Sequence, residues 1–149
     1  MTTRVIVCLD GCGPDYLAAA DTPNLDALAR EGYHTIGEAV VPTVTNVNNT
    51  SIITASFPAT HGITTNYLLD PASGREDYLE SGEFLLAETA FRHLADRGEK
   101  AVLLTAKDKL KTLIRDGAAV AESAEKPSAW LTERIGPAPG IYTIEVNHW

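Results

Sequence analysis

The sequence is poor in the features that would indicate a secreted, membrane-bound or nucleic-acid-binding protein. It has only two cysteines, Cys8 and Cys12, which cannot build a disulfide framework, so we expect a reducing compartment and a cytoplasmic protein. No apolar run is long enough to span a bilayer and the start lacks a signal-peptide pattern, so we expect no membrane partner. Basic residues number 12 against 20 acidic ones, and the net charge of −8 argues against a nucleic-acid partner.

Histidine is also scarce: His34, His93 and His148 have no partner at a spacing typical of a metal site, and His61 lies in a predicted loop whose turn it could orient. No histidine lies four residues after an aspartate, and no Asp-His dipeptide occurs. What remains is a chain of 149 residues, 44% of them hydrophobic, which is enough for one compact domain with a core. An anionic substrate would need a metal or a few placed cations, because the overall charge repels it.

Apolar β-branched runs alternate with helical patterns, which predicts an α/β fold with a mainly parallel sheet flanked by helices. The predicted strands are 4–9, 33–41, 101–105, 117–120 and 141–146, with a short hairpin between 67–69 and 75–76. The predicted helices are 23–31, 48–55, 83–97, 107–114 and 128–135. The sequence ends directly after a predicted strand, so we expect residues 1–149 to be the N-terminal portion of a truncated domain, with no separate second domain.

Residues 42–54 carry the densest set of polar groups, and they follow a predicted strand and lead into a predicted helix. The unpaired N–H groups of a helix N-terminus favour anions. The hydroxyl of Thr45 could cap this helix, as could Thr43, Asn46 or Asn48. It could instead act as a nucleophile if a base or a metal activates it. Spacing alone leaves both interpretations open.

Other candidate groups follow predicted strands at their carboxyl ends, where open α/β sheets form their sites. Asp10 could ligate a metal, or it could end a strand in an ordinary Asp-Gly turn. If the strands that precede Asp10 and Thr45 pair in parallel, a carboxylate and a hydroxyl could share one divalent cation. Lys107 and Lys109 lie at a predicted helix start, where the helix dipole disfavours cations. The pair could simply be solvated in the first turn, or it could bind an anionic ligand that offsets its charge.

Five motifs, in order along essentially the whole chain, resemble the alkaline phosphatase superfamily. They are V-I-V-C-L-D-G at 5–11, T-P-N-L-D-A-L at 22–28, P-T-V-T-N-V-N-N-T-S-I at 42–52, H-G-I-T-T-N-Y at 61–67 and T-A-K-D-K-L at 105–110. The Thr-Asn in the third motif and the K-D-K in the fifth resemble the phosphonoacetate hydrolases, which are related to the nucleotide pyrophosphatase/phosphodiesterases. The resemblance implies a zinc-dependent enzyme that hydrolyses phosphonoacetate to acetate and phosphate through a phospho-threonine intermediate.

The resemblance also implies a role for each candidate residue. Asp10 would be a ligand of one of two zinc ions, and Thr45 would be both a ligand of that zinc and the nucleophile. The family takes its other zinc ligands from an Asp with a His four residues on, an Asp-His pair and a late His. These patterns are missing from the sequence, so we expect the second metal site not to be encoded in this chain.

The substrate-binding roles implied by the resemblance fall on four residues. The backbone N–H of Asn46 and the amide of Asn66 would bind phosphoryl oxygens, and Lys107 and Lys109 would hold the substrate carboxylate. The expected partner is therefore a small anionic phosphonate. A truncated sheet would leave apolar edges exposed, which predicts self-association into a homo-oligomer.

Two other functions remain open from the sequence. The chain could belong to another phosphoesterase or phosphodiesterase of the same superfamily, in which case the lysine pair would have no carboxylate to hold. It could also be a truncated, non-catalytic α/β module that binds an anion or a partner through the polar turn.

Overall fold

The computed structural model describes residues 3–136, and the chain divides into two compact units, Met1–Val40 and Val41–Trp149. The first unit contains two helices, α1 (Pro14–Ala19) and α2 (Pro23–Glu31). The described part of the second unit contains, in chain order, α3 (Thr45–Thr54), α4 (Pro58–His61), β1 (Tyr67–Leu69), β2 (Glu76–Tyr78), a 3-10 turn (Gly82–Phe84), α5 (Ala90–Asp96), β3 (Val102–Thr105), α6 (Asp108–Ile114), β4 (Val120–Ser123) and α7 (Ala129–Ile135).

Helix α2 in the first unit confirms its prediction from the sequence. Thr22 occupies the N-cap position and Pro23 the first helical position, where the fixed φ of proline suits a helix and its missing N–H costs nothing. The helix ends before Gly32, as predicted. Helix α1 was missed, although Pro14 at its start and Asp15 in its first turn are start signals of the same kind.

The strands predicted at 4–9 and 33–41 are wrong, because neither segment forms a ladder with any described residue. A β-branched apolar run becomes a strand only when its backbone pairs with a neighbour, which periodicity alone cannot reveal. The side chains of the first segment are open, with Val5 77% and Ile6 76% exposed. The argument from spacing that would bring Asp10 beside Thr45 depended on that pairing, so it loses its support.

A parallel strand pair in the second unit confirms the predicted α/β fold class. Strands β3 and β4 pair in parallel, from Val102 opposite Val120 to Thr105 opposite Ser123, and α6 is the crossover between them. Helix α6 buries Leu110, Leu113 and Ile114, which form much of the core of this unit. Strand β4 lies three residues later than predicted. The other described sheet, β1 with β2, is an antiparallel hairpin.

Helix α5 is much shorter than the predicted 83–97, because Thr89 caps a new helix start inside that range. The Thr89 hydroxyl accepts a hydrogen bond from the Arg92 backbone N–H (3.1 Å) and donates one to the Asp116 carbonyl (2.6 Å). The Arg92 guanidinium also binds both carboxylate oxygens of Asp116. These contacts fix α5 to the turn that joins α6 and β4.

Four further predictions concern the rest of the chain. Helix α3 is confirmed, although it begins at Thr45 rather than at residue 48. The hairpin is confirmed, with Tyr67 opposite Tyr78 and their rings in edge contact at 5.2 Å between centroids. Helix α7 is confirmed and begins directly after its cap, Ser128. The strand predicted at 141–146 lies outside the described residues.

No helix within residues 3–136 is long and apolar enough to cross a membrane.

Candidate active site

Thr45 is the first residue of α3, at the helix end where the leading N–H groups have no partner in the preceding turn. The N-cap position belongs to Val44, whose side chain cannot cap, so the sequence alternative in which Thr45 is the cap is wrong. The first N–H groups of any α-helix lack partners within the helix and carry the positive end of its dipole. A half-buried hydroxyl therefore lies at the end of a ten-residue helix that attracts anions.

Asn46 and Asn66 both bind the same residue, Leu79. The buried Asn46 side chain donates a hydrogen bond from Nδ2 to the Leu79 carbonyl (3.0 Å). The Leu79 N–H donates to the backbone carbonyl of Asn66 (3.0 Å), immediately before β1. Leu79 itself is only 3% exposed, which anchors this junction in the core. The structure thus brings together two candidate residues that are 20 positions apart in sequence.

The two candidate lysines flank the start of α6, and their environments differ. Lys109 lies 2.5 Å from a carboxylate oxygen of Glu80, and its ammonium lies 4.8 Å from the centroid of the Tyr78 ring. The hydrogen bond to Glu80 raises the pKa of Lys109 above its ordinary value. Lys107 is exposed at the N-cap position and makes no ion pair with another residue in the range 3–136. A cation there adds to the positive helix end, which favours an anionic ligand.

Asp10 belongs to the first unit, where it is exposed in a turn. The backbone N–H of Cys12 bonds the Leu9 carbonyl (3.2 Å), and Gly11 adopts a φ of +74°, which glycine tolerates at little cost. The described residues contain no group of three or more His, Cys, Asp or Glu side chains that could hold a metal ion. Zinc sites take three or four such ligands, so the described residues alone do not fit a zinc site.

Sequence reasoning missed the segment that joins these candidates, Tyr78, Leu79 and Glu80. Leu79 acts through its backbone, which leaves no signal in the residue type. Glu80 follows a strand, and nothing in the sequence indicates that its carboxylate pairs with Lys109. Three of the predicted substrate-binding residues meet this segment, although no pattern in the sequence marks it.

His61 is connected to the first turn of α3 by a chain of hydrogen bonds. Its Nδ1 accepts from the Ile63 backbone N–H (3.1 Å), so its Nε2 carries the proton and donates to the Ser51 hydroxyl (2.9 Å). Ser51 donates in turn to the Val47 carbonyl in the first turn of α3 (2.9 Å). The imidazole is fully buried, and this burial lowers the pKa of His61 below its ordinary value of 6.5.

The lowered pKa of His61 predicts a pH dependence of stability. Below pH 6.5 His61 becomes protonated in the unfolded chain. In the folded chain it stays neutral until the pH falls to its lower pKa. The free energy of unfolding should therefore fall as the pH falls from 7 towards 5, by at most about 1.4 kcal/mol per pH unit from this group. We expect His61→Gln to remove this component of the slope in urea titrations at several pH values. His93→Gln, at an exposed histidine, should retain it.

Comparisons with known proteins identify what the chain as a whole is similar to. The chain is 34% identical to phosphonoacetate hydrolase from Sinorhizobium meliloti 1021, solved with phosphonoacetate (TM-score 0.80) and with phosphonoformate (TM-score 0.79). Each match covers 91% of this chain. The fold and the polar helix start therefore define an α/β protein of the alkaline-phosphatase-like class, and the resemblance to phosphonoacetate hydrolase is confirmed.

The family follows from a second comparison. The family model for type I phosphodiesterase / nucleotide pyrophosphatase matches residues 4–133, and the chain belongs to this family. Over 76 residues, half of this chain, it is 36% identical to an uncharacterised pyrophosphatase/phosphodiesterase of Schizosaccharomyces pombe. The chain spans 38% of the length of the phosphonoacetate hydrolase chains and 16% of the yeast protein.

Proposed function

We propose that this chain carries the nucleophile and the substrate-binding groups of a phosphonoacetate hydrolase, as the N-terminal portion of its α/β hydrolase domain. The observation that carries the proposal is the convergence of Asn46, Asn66 and Lys109 on residues 78–80, in the unit whose α3 begins with Thr45. Its support from similarity is the 34% identity to an enzyme solved with phosphonoacetate.

In the proposed reaction the Thr45 hydroxyl oxygen attacks phosphorus. A P–O bond forms as the P–C bond breaks, and the released carbon takes a proton to give acetate. Water then cleaves the phospho-threonine, which releases phosphate and restores the hydroxyl. The N–H of Asn46 at the start of α3 and the amide of Asn66 are proposed to stabilise the phosphoryl oxygens, because charge on them grows in the transition state.

We propose that Lys107 and Lys109 bind the carboxylate of the substrate, which distinguishes a phosphonoacetate hydrolase from a phosphodiesterase. Two cations at the start of α6 can neutralise a substrate carboxylate, which the chain's net charge of −8 would otherwise repel. Lys107 occupies the N-cap position and Lys109 the second position of α6, so both residues lie at the start of the same helix.

From the resemblance of their motifs alone, we propose that Asp10 and Thr45 are each zinc ligands, in a cytoplasmic enzyme. Bound zinc would favour the ionised hydroxyl and offset charge on the phosphoryl group. Because the described residues do not complete a zinc site, the remaining ligands would have to come from outside them.

The lysine pair supplies the test that separates the candidate functions. In the complete protein encoded by the gene, we expect Lys107→Ala and Lys109→Ala each to raise the KM for phosphonoacetate about tenfold or more, since each removes a charge-assisted hydrogen bond. Turnover of a phosphodiester without a carboxylate should change little. The matched control is Lys100→Ala, which removes an exposed lysine from the loop before β3.

Other outcomes of this experiment identify the alternatives. Hydrolysis of the diester but not of phosphonoacetate by the unaltered protein would favour a phosphodiesterase, which the match to the pyrophosphatase/phosphodiesterase relative also supports. No turnover of either substrate, with retained binding of phosphonate, would favour a non-catalytic anion-binding module. Equal losses in Lys100→Ala and in the two variants would contradict the proposed carboxylate site.

A further inference from the structure

Three consecutive residues contact three of the four residues proposed to bind substrate. Leu79 bonds Asn46 through its carbonyl and Asn66 through its N–H, at 3.0 Å in each case. Glu80 lies 2.5 Å from the Lys109 ammonium, and the ring of Tyr78 lies 4.8 Å from it. Residues 78–80 therefore touch both the proposed phosphoryl-binding end and the proposed carboxylate-binding end of the site.

We propose that residues 78–80 position the substrate-binding groups, with Glu80 as the positioning residue for Lys109. This inference rests on the proposed function of the same site and adds a residue that neither the motifs nor the relatives assign. Glu80 does not contact the substrate in this proposal; it acts through Lys109.

The first physical reason is the flexibility of lysine. A lysine side chain has four rotatable bonds, and holding it in one place costs conformational entropy. Lys109 is 61% exposed, so packing alone does not restrict it. The Glu80 carboxylate and the Tyr78 ring together restrict the ammonium, and at least one of its three N–H donors stays available for a substrate carboxylate.

The second reason is that the segment cannot move independently of the phosphoryl-binding residues. Leu79 is 3% exposed and both its N–H and its carbonyl are hydrogen-bonded, so Glu80 starts from a fixed backbone. The distance between the two ends of the site is thereby set by one short segment. A substrate with phosphonate and carboxylate groups joined by a single carbon needs such a fixed spacing.

The opposite interpretation treats Glu80 as a competitor that occupies Lys109 until a substrate carboxylate displaces it. The two interpretations predict opposite signs. A positioning residue lowers the KM for phosphonoacetate, whereas a competitor raises it. Simultaneous contact with Glu80 and Tyr78 favours positioning, because a competitor would need no second contact on the lysine.

The test is Glu80→Gln in the complete protein, with phosphonoacetate and a phosphate monoester that has no carboxylate. We expect the KM for phosphonoacetate to rise about fivefold, the size of an exposed ion-pair contribution, with kcat changed by less than about twofold. The monoester should be unaffected. Glu80→Asp, which keeps the charge, should recover part of the loss. Glu83→Gln is the matched control, because it removes the same charge from an exposed side chain three residues later.

Several results would overturn the inference. A lower KM for phosphonoacetate in Glu80→Gln would make Glu80 a competitor. Equal changes for both substrates would indicate a general structural role, and an equal effect of Glu83→Gln would indicate net charge alone. If the unaltered protein neither binds nor hydrolyses phosphonoacetate, the proposed function fails and this inference falls with it. If it does hydrolyse phosphonoacetate while Glu80→Gln behaves normally, only the positioning role is wrong.

Discussion

Thr45→Ala should lower kcat for phosphonoacetate by about a thousandfold or more in the complete protein, because it removes the proposed nucleophile. The substitution should leave the fold intact. Thr45 is only half-buried, its backbone carbonyl still accepts from the Asn49 side chain (3.0 Å), and alanine suits a helix. Circular dichroism and the urea midpoint would check this, while release of phosphate followed by ³¹P NMR would measure the rate.

Two companion variants make the Thr45 prediction specific. Thr45→Ser keeps a hydroxyl at the same atom position and should retain measurable turnover. Thr43→Ala removes an exposed threonine two residues earlier, outside α3, and should have little effect. Acid quenching of the unaltered protein during turnover, followed by mass spectrometry, should find phosphate on the peptide that contains Thr45. Full activity of Thr45→Ala, or phosphate on a different residue, would contradict the proposed mechanism.

The parts of the fold that could be predicted are those determined by local chemistry. Proline at the start of α2 and Gly32 just after it delimit a helix whatever lies around it. The apolar runs of β3 and α6 were predicted correctly because each has its partners close by in sequence, in one βαβ unit. Local signals and tertiary packing agree in these elements.

The predictions that are wrong concern elements whose formation depends on residues distant in the sequence. The run at 4–9 has the composition of a buried strand, yet strand formation requires a neighbouring backbone that the sequence pattern does not name. The helix predicted at 83–97 is interrupted because Thr89 caps a new helix start and donates a hydrogen bond to the carbonyl of Asp116, 27 residues away. A periodic apolar stripe carries no information about such a contact.

The candidate site shows the same division. Lys107 could be placed at a helix start from the sequence, and Thr45 in the polar turn that leads into α3, three residues before the predicted start of that helix. The link between Asn46 and Asn66 could not, because it runs through the backbone of Leu79. Hydrogen bonds to backbone groups do not depend on side-chain identity, so this part of the site had to come from the structure.

Gly117→Ala should lower the free energy of unfolding by about 3 kcal/mol or more, because it combines backbone strain with a steric clash. Gly117 has a φ of +80°, in the left-handed region that disfavours alanine. A Cβ at this position would also lie 2.3 Å from the backbone N and Cα of Arg92. Backbone atoms cannot rotate away as a flexible side chain can, so the start of α5 would have to shift. That shift would disturb the contacts of Thr89 and Arg92 with Asp116.

Gly98→Ala separates the two causes of this loss. Gly98 has nearly the same φ, +74°, but a Cβ there would meet nothing within 4 Å. The substitution should therefore carry only the backbone cost of about 1 kcal/mol, and the difference between the two variants measures the clash with α5. Urea denaturation of both variants under identical conditions gives that difference directly. Equal decreases in the free energy of unfolding would show that α5 can shift away from the added Cβ at no energetic cost. The close packing of the α6–β4 turn against α5 would then not contribute to stability.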